Sequence, residues 1–178
     1  MTKMLPIYRN YKQDKDFEER SRNRFNALYK TYFRGLNKIE VINNQELQYK
    51  GHDVHLHFNN GNVEIIDEKV RRVDYDDILI EYLSNKESGR KGWIYDSEST
   101  LLAYLFPTKG IWFLYAQKIK EWVKDINSYF WSLKTIESIN QKPDGTKYTT
   151  VCKAVPLSIM ERMGFVFGKI LQIKGLRH

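Results

Sequence analysis

Polar and apolar residues change period several times along this chain, and each change predicts an element. Between Asp14 and Arg34, the positions Phe25, Leu28, Tyr29, Tyr32 and Phe33 recur at three- and four-residue spacing. That spacing predicts an amphipathic helix, closed by Gly35. Lys38 to Ile42 then reads as a first strand, and Asn43 to Gln45 as a polar connection. Val54, Leu56 and Phe58 alternate with polar residues, as do Val63 and Ile65, and Asn60-Gly61 lies between the two runs. This is the pattern of a β-hairpin. Ile78 to Leu83, Trp93 to Tyr95 and Leu101 to Phe106 read as further strands, with a turn over Pro107 to Gly110 and Ile111 to Tyr115 pairing back. Tyr115, Ile119, Trp122, Val123 and Ile126 form a second helical stripe. A polar loop over Asn140 to Lys147, with a turn at Pro143-Asp144-Gly145, precedes a strand over Tyr148 to Val155. A short helix from Leu157 to Met163, ended by Gly164, completes the reading. The expectation is one α/β domain of the mixed-sheet, α+β kind, spanning residues 1 to 178.

Charged residues break this pattern most sharply at the hairpin. Asp53 opens its first strand and Asp67-Glu68-Lys69 closes its second, so carboxylates and a lysine gather at the end away from the turn. Two carboxylates can hold a divalent cation through oxygen, and a nearby ammonium can orient or deprotonate an attacking water. Such a set suits phosphodiester cleavage. A two-residue turn at Asn60-Gly61 would pair Phe58 with Val63 and Leu56 with Ile65, placing Asp53 opposite Glu68. Successive side chains alternate faces, so Asp53 would then point away from Asp67 and Lys69. In that register the site needs a bulge near Gly51 to Asp53, or strong twist at the strand end.

Asp53 followed by Asp67-x-Lys69 across a hairpin resembles the PD-(D/E)XK nuclease superfamily, the restriction-endonuclease-like fold. The resemblance covers roughly residues 14 to 135. Asp67-x-Lys69 is the only acid-x-Lys triplet placed where the hairpin requires it, although His52 rather than proline precedes Asp53. Glu81 and Gly92-Trp93 downstream are similar to bacterial and phage members of the group. The resemblance implies a helix, three antiparallel strands, a second helix and a further strand. It implies DNA hydrolysis with Mg²⁺ or Mn²⁺, held by Asp53, Asp67 and the backbone carbonyl of Glu68, with Lys69 acting on the water. It also implies a glutamate on the first helix. Glu18 is the candidate; the other reading is an exposed first-turn glutamate favouring the helix dipole. Many nucleases of this fold act as dimers, which makes a homodimer an expectation by analogy. A factor on the same fold that grips nucleic acid or protein without cutting is the alternative.

Other polar positions leave choices open. Glu81 interrupts an apolar strand, so it faces the site or pairs with an arginine. His52 neighbours Asp53 and could touch a phosphate. His55 and His57 alternate onto one strand face and could bind zinc, but a structural zinc site wants four ligands and the chain has a single, distant cysteine. Arg71, Arg72, Arg90 and Lys91 are the candidate phosphate contacts, the last two in the basic loop Ser88 to Gly92.

Charge distribution leaves two readings open, an anionic partner or a mildly basic protein that binds nothing anionic. Residues 1 to 50 carry 11 Lys+Arg against 6 Asp+Glu, residues 51 to 100 carry 6 against 11, and residues 101 to 178 carry 12 against 5. Basic segments thus flank the acidic one that holds the proposed metal site, a layout that suits DNA. The many aromatic residues argue against extensive disorder. No apolar run approaches a membrane span, residues 1 to 10 lack the apolar core of a signal peptide, and Cys152 is the only cysteine. The expected location is cytoplasmic, with no membrane partner.

Overall fold

The structure, a computed structural model, describes residues 11–142 and 144–171, with helix side chains from residue 21 onward. Helix α1 (Tyr11–Tyr32) is followed by β1 (Leu36–Val41), a short helix α2 (Gln45–Tyr49), and the hairpin β2 (Val54–Phe58) and β3 (Val63–Val70). Next come β4 (Asp77–Asn85), the two-residue β5 (Arg90–Lys91), a single helical turn α3 (Trp93–Asp96), β6 (Leu101–Phe106) and β7 (Gly110–Tyr115). Helix α4 (Ala116–Lys124), a 3₁₀ turn over Tyr129–Ser132, β8 (Thr135–Gln141), β9 (Lys147–Pro156), α5 (Leu157–Arg162) and β10 (Val166–Ile170) follow.

Two sheets result. The larger is ordered β1-β2-β3-β6-β7-β10, with β3 and β6 parallel and the other pairs antiparallel. The smaller is an antiparallel sheet ordered β5-β4-β9-β8. Strand β6 is buried along its whole length, and alternation divides its residues between two cores. Leu101, Ala103 and Leu105 pack with Phe25, Leu28, Tyr29 and Phe33 of α1. Leu102, Tyr104 and Phe106 pack with Ile78 and Ile80 of β4, Ile94 of α3 and Ile119, Trp122 and Val123 of α4. The larger sheet is thus covered by α1 on one face and by the smaller sheet with α3 and α4 on the other. Among the described residues, no helix is long and apolar enough to cross a membrane.

Three local expectations change. Trp93 to Tyr95 is helical, not extended: Ser97 N–H bonds the Trp93 carbonyl at 3.0 Å, closing one turn that buries Ile94. The second stripe stops at Lys124, and Ile126 is 80% exposed, so its apolar spacing is coincidental. The Asn43 to Gln45 connection leads into α2, which Asn44 caps by accepting from Glu46 and Leu47 N–H at 2.9 and 3.1 Å.

The most consequential change is the hairpin register. Phe58 accepts from Gly61 N–H at 3.0 Å and donates its own N–H to the Asn62 carbonyl at 2.9 Å, leaving a three-residue loop over Asn59, Asn60 and Gly61. Gly61 has φ +84°, the left-handed residue that such a loop demands. The strands therefore pair His57 with Val63, Leu56 with Glu64 and Val54 with Ile66, one residue away from the register of a two-residue turn. A one-residue shift exchanges the faces of a strand. Ile66 joins Val54 and Leu56 against α1, and Asp67 turns to the face of His55 and His57. Gly61→Ala should cost about 1–2 kcal/mol, because a Cβ disfavours the left-handed conformation. Gly61→Asn should cost less, and an equal melting temperature for Ala and Gly would contradict this turn.

Candidate active site

The register shift resolves the placement of Asp53. Asp53 N–H bonds the Ile66 carbonyl at 3.0 Å, although Ile66 is already level with Val54. Two residues of β2 thus meet one of β3, and the strands part beyond them. The Asp53 side chain fills the gap: its Oδ2 accepts from Glu68 N–H at 2.8 Å. Helix α2 aims the chain into this position. Its end is a Schellman turn, with Gly51 N–H on the Gln48 carbonyl at 3.0 Å and His52 N–H on the Leu47 carbonyl at 3.1 Å. Gly51 has φ +80°, and a Cβ there would lie 3.0 Å from Ser97 Oγ and 3.4 Å from Asp67 Oδ2, so this turn closes over the site.

Asp67 is 1% exposed. Its Oδ1 accepts from Lys69 Nζ, while its Oδ2 is buried with no hydrogen-bond partner. Burial raises its pKa to about 7; the Lys69 cation opposes that rise and the Asp53 carboxylate adds to it. Burial also works against the Lys69 cation, but Asp67 and Asp53 outweigh it and its pKa is raised. The Lys69 side chain keeps 30% exposure, and its ammonium lies 4.8 Å from the centre of the Trp93 ring. The helical turn α3 therefore builds one wall of the site.

Glu68 alternates onto the other face. Tyr29 Oη donates to its Oε1 at 2.8 Å, and Arg22 Nε lies 3.2 Å from its Oε2. Burial nevertheless raises its pKa to about 7, against the pull of Arg22 and Tyr29. Tyr29→Phe should destabilise the chain by about 1.5–3 kcal/mol at pH 8, where Glu68 is ionised, and by less at pH 5. Urea unfolding at both pH values checks this, and equal losses would contradict the assignment.

A histidine row continues the site along β2. His52 Nδ1 lies 3.0 Å from His55 Nε2, and His52 Nε2 lies 3.2 Å from Glu98 Oε2. His57 Nε2 lies 2.8 Å from Glu40 Oε2. Burial, and then neighbouring His52, lowers the His55 pKa. The ligand atoms of Glu40, His55 and His57 all lie within 4.8 Å of one another.

The remaining candidates divide. Glu18 lies in α1, but its side chain falls outside the described residues. Glu81 lies on β4 where the pairing with β9 shifts register, between Glu81 and Leu83. Arg71 is 13% exposed, paired with Asp77 and stacked 4.7 Å from the Tyr75 ring centre. Arg90 and Lys91 are exposed on β5, Lys91 beside Tyr95 of α3. Arg72 is exposed on the link after β3. Sequence reasoning missed Tyr29 and Arg22 as partners of Glu68, Trp93 beside Lys69, and Glu40 beside the histidines. It also missed α2, which an N-capping Asn44 and a closing Gly51 at helical distance do signal. Comparison with protein-family models, curated proteins and solved structures finds no match to this chain.

Proposed function

We propose that the chain is a divalent-cation-dependent nuclease that hydrolyses DNA phosphodiester bonds, with Asp53, Asp67 and Lys69 at its centre. The observation that carries this reading is the Asp67 carboxyl: buried, beside a second carboxylate, with one oxygen on Lys69 and the other unpartnered. An orphaned buried oxygen costs stability unless something satisfies it, and a cation does so. A helix followed by three antiparallel strands is the order that the PD-(D/E)XK resemblance implies, but a crossover without a full second helix leads to the next strand of the sheet, which runs parallel to the third. Here β4, β5 and α3 make the crossover.

The donor set is all oxygen, which suits a hard cation. Asp53 and Asp67, with the Glu68 backbone carbonyl, would hold Mg²⁺ or Mn²⁺, which would offset charge on the scissile phosphate and leaving oxygen. Lys69, whose ammonium bonds Asp67 Oδ1, would orient or activate the attacking water. Arg90 and Lys91, just before the α3 wall, offer charge to the flanking phosphates. Tyr29 and Arg22 hold Glu68 on the opposite face and so keep the strand from rotating.

Incubation with supercoiled plasmid and Mg²⁺ or Mn²⁺ tests the reading, with EDTA alongside. Nicking or linearisation that EDTA removes is the expected result. A salt-sensitive mobility shift without cleavage would replace the nuclease with a nucleic-acid-binding factor. Neither cleavage nor shift would remove both.

A further inference from the structure

We propose that Glu40, His55 and His57 form a second metal site, selective for a first-row transition-metal dication of the Zn²⁺ class and separate from the Asp53–Asp67 centre. Strand β1 lies antiparallel to β2 with Glu40 directly opposite His55, and His57 is two residues further on the same face. The three ligand atoms come within 4.8 Å of one another, and His57 Nε2 and Glu40 Oε2 are 2.8 Å apart. Ligands held at about 2.0–2.2 Å from a tetrahedral Zn²⁺ stand roughly 3.3–3.6 Å apart, so small side-chain adjustments close the site. Two imidazoles and a carboxylate are a three-ligand set that leaves a fourth position open to water or a substrate oxygen. The glutamate on β1 supplies the ligand that the paired histidines lack in the sequence.

The network around His55 adds a second, independent indication. Glu98, as a carboxylate, only accepts, so His52 Nε2 donates to it across 3.2 Å. Where His52 accepts at Nδ1, His55 Nε2 is the donor across 3.0 Å and His55 Nδ1 keeps its lone pair. A carboxylate and a histidine behind a metal-binding imidazole fix its tautomer and orientation. Glu40 and the His57 side chain keep 39% and 31% exposure, so an ion reaches them from solvent. Imidazole nitrogen favours Zn²⁺, Co²⁺ or Ni²⁺ over Mg²⁺, whereas the all-oxygen Asp53–Asp67 pair favours the reverse.

Calorimetric titration of the full chain with ZnCl₂, repeated with MgCl₂, tests the assignment, and Co²⁺ absorption reports the coordination. The expected result is one tight Zn²⁺ per chain and a visible Co²⁺ band, with His57→Ala and Glu40→Gln each weakening Zn²⁺ by at least about tenfold. Asp67→Asn should leave Zn²⁺ binding unchanged, which separates this site from the nuclease centre. Zn²⁺ affinity in the millimolar range would overturn the proposal. So would tight binding that survives both His57→Ala and Glu40→Gln, or that disappears in Asp67→Asn. Far-ultraviolet circular dichroism confirms that each variant is folded before it is titrated.

Discussion

Plasmid nicking should fall at least about 100-fold in Lys69→Ala and in Asp67→Ala, with both variants still folded. In the proposed reaction Asp67→Ala would remove a carboxylate that holds the cation, and Lys69→Ala the ammonium that meets the water. The fold survives for a reason visible in the electrostatics. Lys69 is the main influence holding the Asp67 pKa down against burial. Without it, Asp67 takes up a proton and stays neutral, so no uncompensated anion is left inside. Undiminished nicking in both Lys69→Ala and Asp67→Ala would discard the centre, whatever the rest of the chain does.

Thermal stability without added cation should fall as pH rises from 5 to 8, and Mn²⁺ should recover it at pH 8 but not at pH 5. Asp67 and Glu68 have pKa values raised to about 7 in the fold, from ordinary values of 3.8 and 4.5. The folded chain therefore keeps two protons that the unfolded chain has already released. Their contribution is fully present below about pH 4 and is lost as pH climbs to about 7. Each tenfold change in proton affinity is worth about 1.4 kcal/mol, so the loss from two such groups is large enough to read as a fall in melting temperature. A cation that binds the ionised carboxylates reverses this loss by mass action. His55 acts in the opposite direction, since its pKa is lowered. The useful readout is therefore the difference between wild type and Asp67→Asn, scanned from pH 5 to pH 8. The variant should show a shallower decline and a weaker Mn²⁺ response. Parallel curves for the two proteins would remove Asp67 as both the buried acid and the metal ligand.

Local pattern alone settles a good part of this protein. The stripe of Phe25, Leu28, Tyr29 and Phe33 specifies α1 because helical spacing puts those residues on one face, and they are the ones buried. Leu101 to Phe106 specifies a central strand because only a strand covered on both sides is apolar without alternation. The hairpin, and the Asp67-x-Lys69 pair on one face of its second strand, follow from period two and a turn. None of these needs a distant contact.

Tertiary structure decides the rest, and the site depends on it. Whether the loop at Gly61 has two residues or three is a matter of backbone conformation, and the one-residue difference chooses which face Asp67 occupies. The choice is made by burial: Ile66 and Val54 together reach α1 only in the observed register. Tyr29 meets Glu68, Trp93 meets Lys69 and Glu40 meets His57 across 39, 24 and 17 positions of sequence. Such pairs carry no periodic signature, because chain folding rather than spacing brings them together. The carboxylates and the lysine are therefore legible in the chain as chemistry, but their burial, their pKa values and the glutamate beside the histidines belong to the packed sheets.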